Sequence, residues 1–186
     1  YFDAVITGEP EPNVPALIQD FEKGQVQKRY SLPSLGPTAI QPYRYELIDF
    51  THNRVRLAGI EASRGCPFTC NFCVLTGHEK YRYRPIPTVI NEIQTKMTWN
   101  KNFFGVMDNV FIFLDNNLGG SPKYLRELCE ALLPLKKIWG CALTFNILKD
   151  ESLVRLMAQA GCRYIYTGLE SLNPDSIKAM NKGQNK

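Results

Sequence analysis

Three cysteines within eight residues carry the strongest chemical signal in the chain. The segment Arg64-Gly65-Cys66-Pro67-Phe68-Thr69-Cys70-Asn71-Phe72-Cys73 has the spacing C-x3-C-x2-C. Six cysteines placed at random over 186 positions would give that triplet roughly 0.006 times. Thiolates select zinc, Cu(I) or iron–sulfur clusters. A structural zinc site closes with four ligands, whereas only three cysteines are local here. A cubane held by three thiolates leaves one iron open, and an open coordination position marks a metal that does chemistry. His78, five residues beyond Cys73, keeps a structural zinc knot open as an alternative. So does a distant fourth cysteine, which would make an electron-transfer cluster. Cys129, Cys141 and Cys162 are most simply read as small buried hydrophobes.

These cysteines need a scaffold, and the pattern around them supplies one. Val55–Ala62 reads as a first strand that runs into the cysteine loop. Pro87–Trp99 reads as a helix with Val89, Ile90, Ile93 and Met97 apolar and Thr88 as cap. Asn109–Leu114 is strongly β. Ser121-Pro122 opens a helix, with Ser as N-cap and Pro in the first turn. Ile138–Phe145 is a third strand. Asp150–Gln159 is a helix ended by Gly161. Arg163–Thr167 is a fourth strand, and Asn173-Pro174 starts a last helix. Strands alternating with helices mean βαβ units and a parallel sheet. The fold class is α/β, with four units forming part of a (β/α) barrel wall. The cysteines, Asp115, Asn146 and Glu170 all fall just after a predicted strand, at the carboxyl edge where barrels place their chemistry.

The first residues read differently. Asp3–Thr7 resembles a buried strand, Gly8-Glu9-Pro10-Glu11-Pro12 a break, and Pro15–Glu22 a helix with Leu17, Ile18 and Phe21 on one face. Gly24–Asn53 is punctuated by Pro33, Gly36, Pro37 and Pro42 and keeps no period, so it reads as a linker or strap. The expected organisation is 1–23 as the tail of one α/β domain, 24–53 as linker and 54–186 as the start of a barrel core. Without an initiator Met, and with too few strands to close a barrel, the chain is expected to belong to a longer protein.

C-x3-C-x-aromatic-C after the first strand of a β/α barrel resembles the radical SAM superfamily, over Arg54–Lys186. The resemblance implies a [4Fe–4S] cluster on Cys66, Cys70 and Cys73, with S-adenosylmethionine chelating the open iron. An electron from the cluster then splits the sulfonium to give a 5′-deoxyadenosyl radical, which takes hydrogen from a substrate. Phe72 matches the family's aromatic position near the adenine. Gly168-Leu169-Glu170-Ser171 is similar to the family's G-[IL]-E-S segment, whose Glu faces the cofactor. Asp115 matches an acid at the end of the second strand, although Asn116 stands where a second acid is frequent. Asn146 and Thr144 end the third strand and could line the site. Asp3-Ala4-Val5-Ile6-Thr7-Gly8-Glu9-Pro10-Glu11 resembles the end of the cobalamin-binding domain that precedes many such cores. The usual D-x-H-x-x-G is absent, so cobalamin is implied for the longer protein alone.

The implied activity is cobalamin-dependent methylation or a related radical transformation of a small or lipid-like substrate, with flavodoxin or ferredoxin as reductant. A methylthiotransferase or tRNA-modifying enzyme, or a non-enzymatic Fe–S or zinc module, is the alternative. Composition agrees with an enzyme core. Hydrophobic residues make up 44% and net charge is +4, from 22 basic and 18 acidic residues. No stretch concentrates that excess, which argues against nucleic acid. No apolar run reaches the ~18 residues that span a bilayer. No signal peptide is visible, so the expected location is a reducing cytoplasm.

Overall fold

The computed structural model describes residues 2–33, 36, 40–44, 47, 58–76, 80–99 and 109–185, the side chains of 96–99 excepted. The chain divides into two compact units, Tyr1–Gln41 and Pro42–Lys186.

In the first unit, β1 (Val5–Ile6) and β2 (Arg29–Tyr30) pair in parallel around α1 (Pro10–Glu22). The helix starts five residues before the predicted Pro15. Pro10 and Pro12 lie in its first turn, where backbone N–H groups have no intrahelical partner, so they cost it nothing. Pro15 lies inside the helix. Val5, Ile18 and Phe21 are exposed, against the expectation of a buried strand and an inward apolar face. The buried residue of α1 is Asn13, whose Nδ2 donates to Glu9 O while its Oδ1 accepts from Leu32 N. Arg29–Tyr30 was expected within a linker, but two-residue strands carry no readable period.

The second unit is built on four parallel strands: β3 (Ala58–Ile60), β6 (Val110–Phe113), β7 (Ile138–Ala142) and β8 (Cys162–Tyr166). Their order in the sheet is their order in the chain, as in a barrel wall. Between β3 and β6 come β4 (Ser63–Arg64), β5 (Arg82–Tyr83) and α2 (Ile86–Trp99). After β6 come α3 (Pro122–Leu132), α4 (Glu151–Gln159) and, following β8, α5 (Pro174–Ala179). The expected start of the first strand, residues 55–57, and His52 and His78 lie outside the described residues.

Local capping explains the helix boundaries. Ser121 Oγ accepts from Tyr124 N, Asp150 Oδ1 from Leu153 N, and Asn173 Oδ1 from Asp175 N. Thr88 does not cap α2: its hydroxyl donates back to Pro85 O. Gly161 ends the α4 unit at φ +100°, and a Cβ there would collide with Lys137 O. The core lies between sheet and helices. Phe111 and Phe113 alternate inward along β6, and Phe113 meets Trp139 edge-on at 5.4 Å between centroids. Val89 and Ile93 of α2, Leu125 and Leu128 of α3, and Leu153 and Met157 of α4 close over them. Cys129, Cys141 and Cys162 are buried in this core, as expected for small hydrophobes. Burial pushes the Cys129 thiol up to about 12, so it stays protonated and inert.

Candidate active site

The cysteine loop leaves β4 through Gly65, whose φ of +82° suits a residue without a Cβ. β5 returns antiparallel to β4, pairing Ser63 with Tyr83 and Arg64 with Arg82, and so closes the base of the loop. The Tyr81–Pro85 segment that follows the loop therefore runs partly as a strand. Glu61 grips Arg64 with two contacts, Nε to Oε1 at 2.8 Å and Nη2 to Oε2 at 2.7 Å. Arg84, buried, donates to Glu61 O and to Glu92 Oε2, each at 2.6 Å.

Asp115 sits at the end of β6 as predicted, but it is turned under the loop. Its carboxylate accepts from Ala62 N at 3.1 Å, from Ser63 Oγ at 2.5 Å and from Ser63 N. Burial pushes its pKa up to about 7, against the lowering by those donors. Its visible task is to hold the start of the cysteine loop to the sheet. Tyr124 adds a second tie from α3, donating to Ala62 O at 3.3 Å while its ring stacks on Tyr83 at 4.4 Å.

The far side of the loop is held by residues after α5. Asn71 N donates to Met180 O and Asn71 Nδ2 to Ala179 O. Asn181 Nδ2 donates to Thr69 O and Oγ1 at 2.8 and 2.9 Å. Gln184 Nε2 donates to Cys70 Sγ at 3.2 Å. From the loop after β6, Asn117 Nδ2 reaches Cys66 Sγ at 3.6 Å, while its Oδ1 accepts from Thr144 N and Oγ1.

All six cysteines are free thiols. Among the described residues no three His, Cys, Asp or Glu side chains converge on one ion-sized point. A single zinc draws its thiolates to about 3.8 Å of one another at Zn–S bonds of about 2.3 Å. Each thiolate of a cubane binds its own iron, so three cysteines on one loop suit it without such convergence. Amide donors on two of the sulfurs also suit thiolate ligands of a cluster.

Around β8 the carboxyl edge is polar. Glu170, at φ +62°, turns its Oε1 to 2.5 Å from Lys182 Nζ. A Cβ on Gly168 would meet that carboxylate and Nζ, so both side-chain ends would have to shift to admit one. Lys182 Nζ also stands 5.5 Å from the centroid of Phe72, whose ring is half exposed. Asn185 Nδ2 donates to Gly168 O and Leu169 O. Three buried polar atoms here have no hydrogen-bond partner among the described residues: Asn146 Oδ1, Thr167 Oγ1 and Asn185 Oδ1. Each such orphan costs about 1–3 kcal/mol unless something polar meets it. Phe72, Glu170 and Lys182 thus form one connected group. Sequence reasoning missed Asn117, Lys182 and Gln184. The Asp-Asn-Asn run at a strand end was a signal for the first, but no local pattern marks the other two.

Residues 60–186 match the family model described as Radical SAM superfamily. The chain belongs to that superfamily. Radical SAM proteins use a [4Fe–4S] cluster and S-adenosylmethionine. The bacteriochlorophyllide d C-12(1)-methyltransferase of Chlorobaculum tepidum is 33% identical over 98% of this chain and 41% of its own length. The hopanoid C-2 methylase of Rhodopseudomonas palustris is 30% identical over 76% of this chain and 27% of its own. This radical SAM chain thus spans well under half the length of both relatives. In fold it is similar to the radical SAM methyltransferase TsrM of Kitasatospora setae, solved with cobalamin and a [4Fe–4S] cluster. That match has a TM-score of 0.56 at 18% identity, covering 65% of this chain and 24% of that one.

Proposed function

We propose that this chain is part of a radical SAM methyltransferase of the cobalamin-associated branch, acting on a carbon of an apolar small molecule. The observation that carries the cofactor assignment is the Cys66/Cys70/Cys73 loop, tied by Asp115 from one side and by Asn181 from the other. The methyl-transfer assignment is supported by two relatives whose names describe carbon methylation, of a bacteriochlorophyllide and of a hopanoid. The β1–α1–β2 unit supports a cobalamin-binding-like domain ending within the first unit. Residues 54–186 form the beginning of the barrel core. Six free thiols support a reducing, cytoplasmic setting, and a flavodoxin or ferredoxin would supply the electron. Among the described residues no helix is long and apolar enough to cross a membrane.

In this reading Cys66, Cys70 and Cys73 hold the cluster, and the chemistry supplied there is reductive cleavage of the sulfonium followed by hydrogen abstraction or methyl transfer. Phe72 offers an apolar face to the adenine. Glu170 accepts from hydroxyls, and Lys182 keeps its carboxylate aimed. Asn146, Thr167 and Asn185 offer their unpartnered oxygens to the polar groups of the cofactor, which would remove the orphan penalty. Asp115 acts on the loop, as a positioning residue.

Anaerobic reconstitution tests the reading directly. The chain should take up about four irons, and S-adenosylmethionine should shift the EPR spectrum of the reduced cluster. Cys70→Ala should abolish that shift. Zinc in place of iron would sink the proposal.

A further inference from the structure

Two of the three cysteines have a side-chain amide aimed at their sulfur, and the two amides come from opposite sides of the loop. Gln184 Nε2 lies 3.2 Å from Cys70 Sγ, and Asn117 Nδ2 lies 3.6 Å from Cys66 Sγ. The Asn117 amide is locked in its orientation, and the turn that carries Gln184 is fixed. Asn117 is buried, and its Oδ1 is engaged by Thr144 N at 3.2 Å and Thr144 Oγ1 at 3.4 Å. A flipped amide would turn its NH2 onto that backbone N–H and its oxygen onto the sulfur, which is repulsive on both sides. Gln184 stands on the short turn Gly183–Asn185. That turn is fixed by Asn185 Nδ2 on Gly168 O and Leu169 O, with Lys182 tied to Glu170 just before it.

We propose that Gln184 and Asn117 set the electron affinity of the cluster, holding its reduction potential above the value that three unassisted thiolates would give. The inference rests on the assignment of Cys66, Cys70 and Cys73 as cluster ligands. Adding one electron to the cluster raises the negative charge shared by its thiolates. An N–H donor interacts more strongly with the more negative sulfur, so it favours the reduced state. The effect is larger in a site shielded from water, where the donor has no competing solvent. Gln184 is the stronger lever because its contact is shorter. Lys182, the partner of Glu170, directly precedes the turn that carries Gln184. The potential of the cluster and the place of the β8 carboxylate are therefore governed by one piece of chain.

The test is a redox titration of the anaerobically reconstituted full chain, followed by the EPR signal of the reduced cluster without substrate turnover. Gln184→Met removes the donor with little change in length, and Asn117→Asp keeps the Thr144 acceptor while removing the N–H. Both midpoints should move to more negative values. At the potential where the parent is half reduced, the reduced-to-oxidised ratio of Gln184→Met should fall about tenfold, equivalent to about 59 mV for one electron. Asn117→Asp should also move downward, its new charge adding to the loss of the N–H. Unmoved or more positive midpoints in variants that hold as much iron as the parent would overturn the proposal. Where Gln184→Met loses iron, Gln184→Glu, of the parent's length, carries the same test. Iron loss from both also overturns the proposal, because the amide would then hold the cluster and not tune it. A parent chain that takes up no iron would instead sink the cluster assignment, before any variant is compared.

Discussion

Lys182 Nζ lies 2.5 Å from Glu170 Oε1, yet the two ends of this ion pair live in different surroundings: the lysine side chain is 7% exposed and the glutamate 35%. Removing the carboxylate strands a buried ammonium, whereas removing the ammonium leaves a carboxylate that water still reaches. Glu170→Ala should therefore destabilise the fold by about 2–3 kcal/mol, and Lys182→Met by about 1 kcal/mol or less. Urea unfolding of both variants measures the asymmetry, and equal costs would refute it. S-adenosylmethionine binding should suffer in both, because Lys182 keeps Glu170 aimed.

Asp115 gives the chain a pH dependence. Its pKa stands at about 7 in the fold against an ordinary 3.8. The neutral acid is thus favoured by folding. Its stabilising contribution is fully present below the ordinary value and is lost as pH rises through about 7. Between those limits the unfolding free energy of the parent should fall relative to Asp115→Asn by about 1.4 kcal/mol per pH unit at most. Parallel stability curves for the two proteins would contradict this.

Arg84 and Glu92 form a 2.6 Å ion pair with both side chains almost fully buried. Such a pair is expensive to break and cheap to replace. Glu92→Leu alone should cost about 3–5 kcal/mol because it leaves the guanidinium uncompensated. Adding Arg84→Met should recover a large part of that loss, and a double-mutant cycle reads the coupling. Recovery stays incomplete, because Arg84 also supports Glu61 O beside the cysteine loop.

At Gly161 both the φ of +100° and the Lys137 carbonyl exclude a side chain. Gly161→Ala should destabilise by about 2–3 kcal/mol. Thermal unfolding measures it. A neutral result would mean that the α4–β8 turn can open without disturbing the sheet.

What could be read in the residues follows how far apart the interacting groups lie. Ser121, Asp150, Asn173 and Gly161 act on neighbours within a few positions, and each ended or began a helix where expected. The strongly β run Val110–Phe113 needed no partner to be recognised, and the C-x3-C-x2-C spacing is itself local. Asp115 was placed at the right strand end, but its direction was not legible, since its partners Ala62 and Ser63 lie 53 and 52 residues earlier. Gln184 and Lys182 escaped notice for the same reason. In α1 the prolines misled, because a proline that breaks a helix interior is harmless in its first turn.

The cysteine loop is held by residues that come long after it in the chain. Asn181 follows Thr69 by 112 positions, and Gln184 follows Cys70 by 114. At a synthesis rate of about 5–20 residues per second, the thiols are exposed roughly 6–22 s before their clasp exists. Until α5 and the residues after it are made, the far side of the cysteine loop lacks the partners that fix it. Distance along the polypeptide thus sets how late the clasp can close.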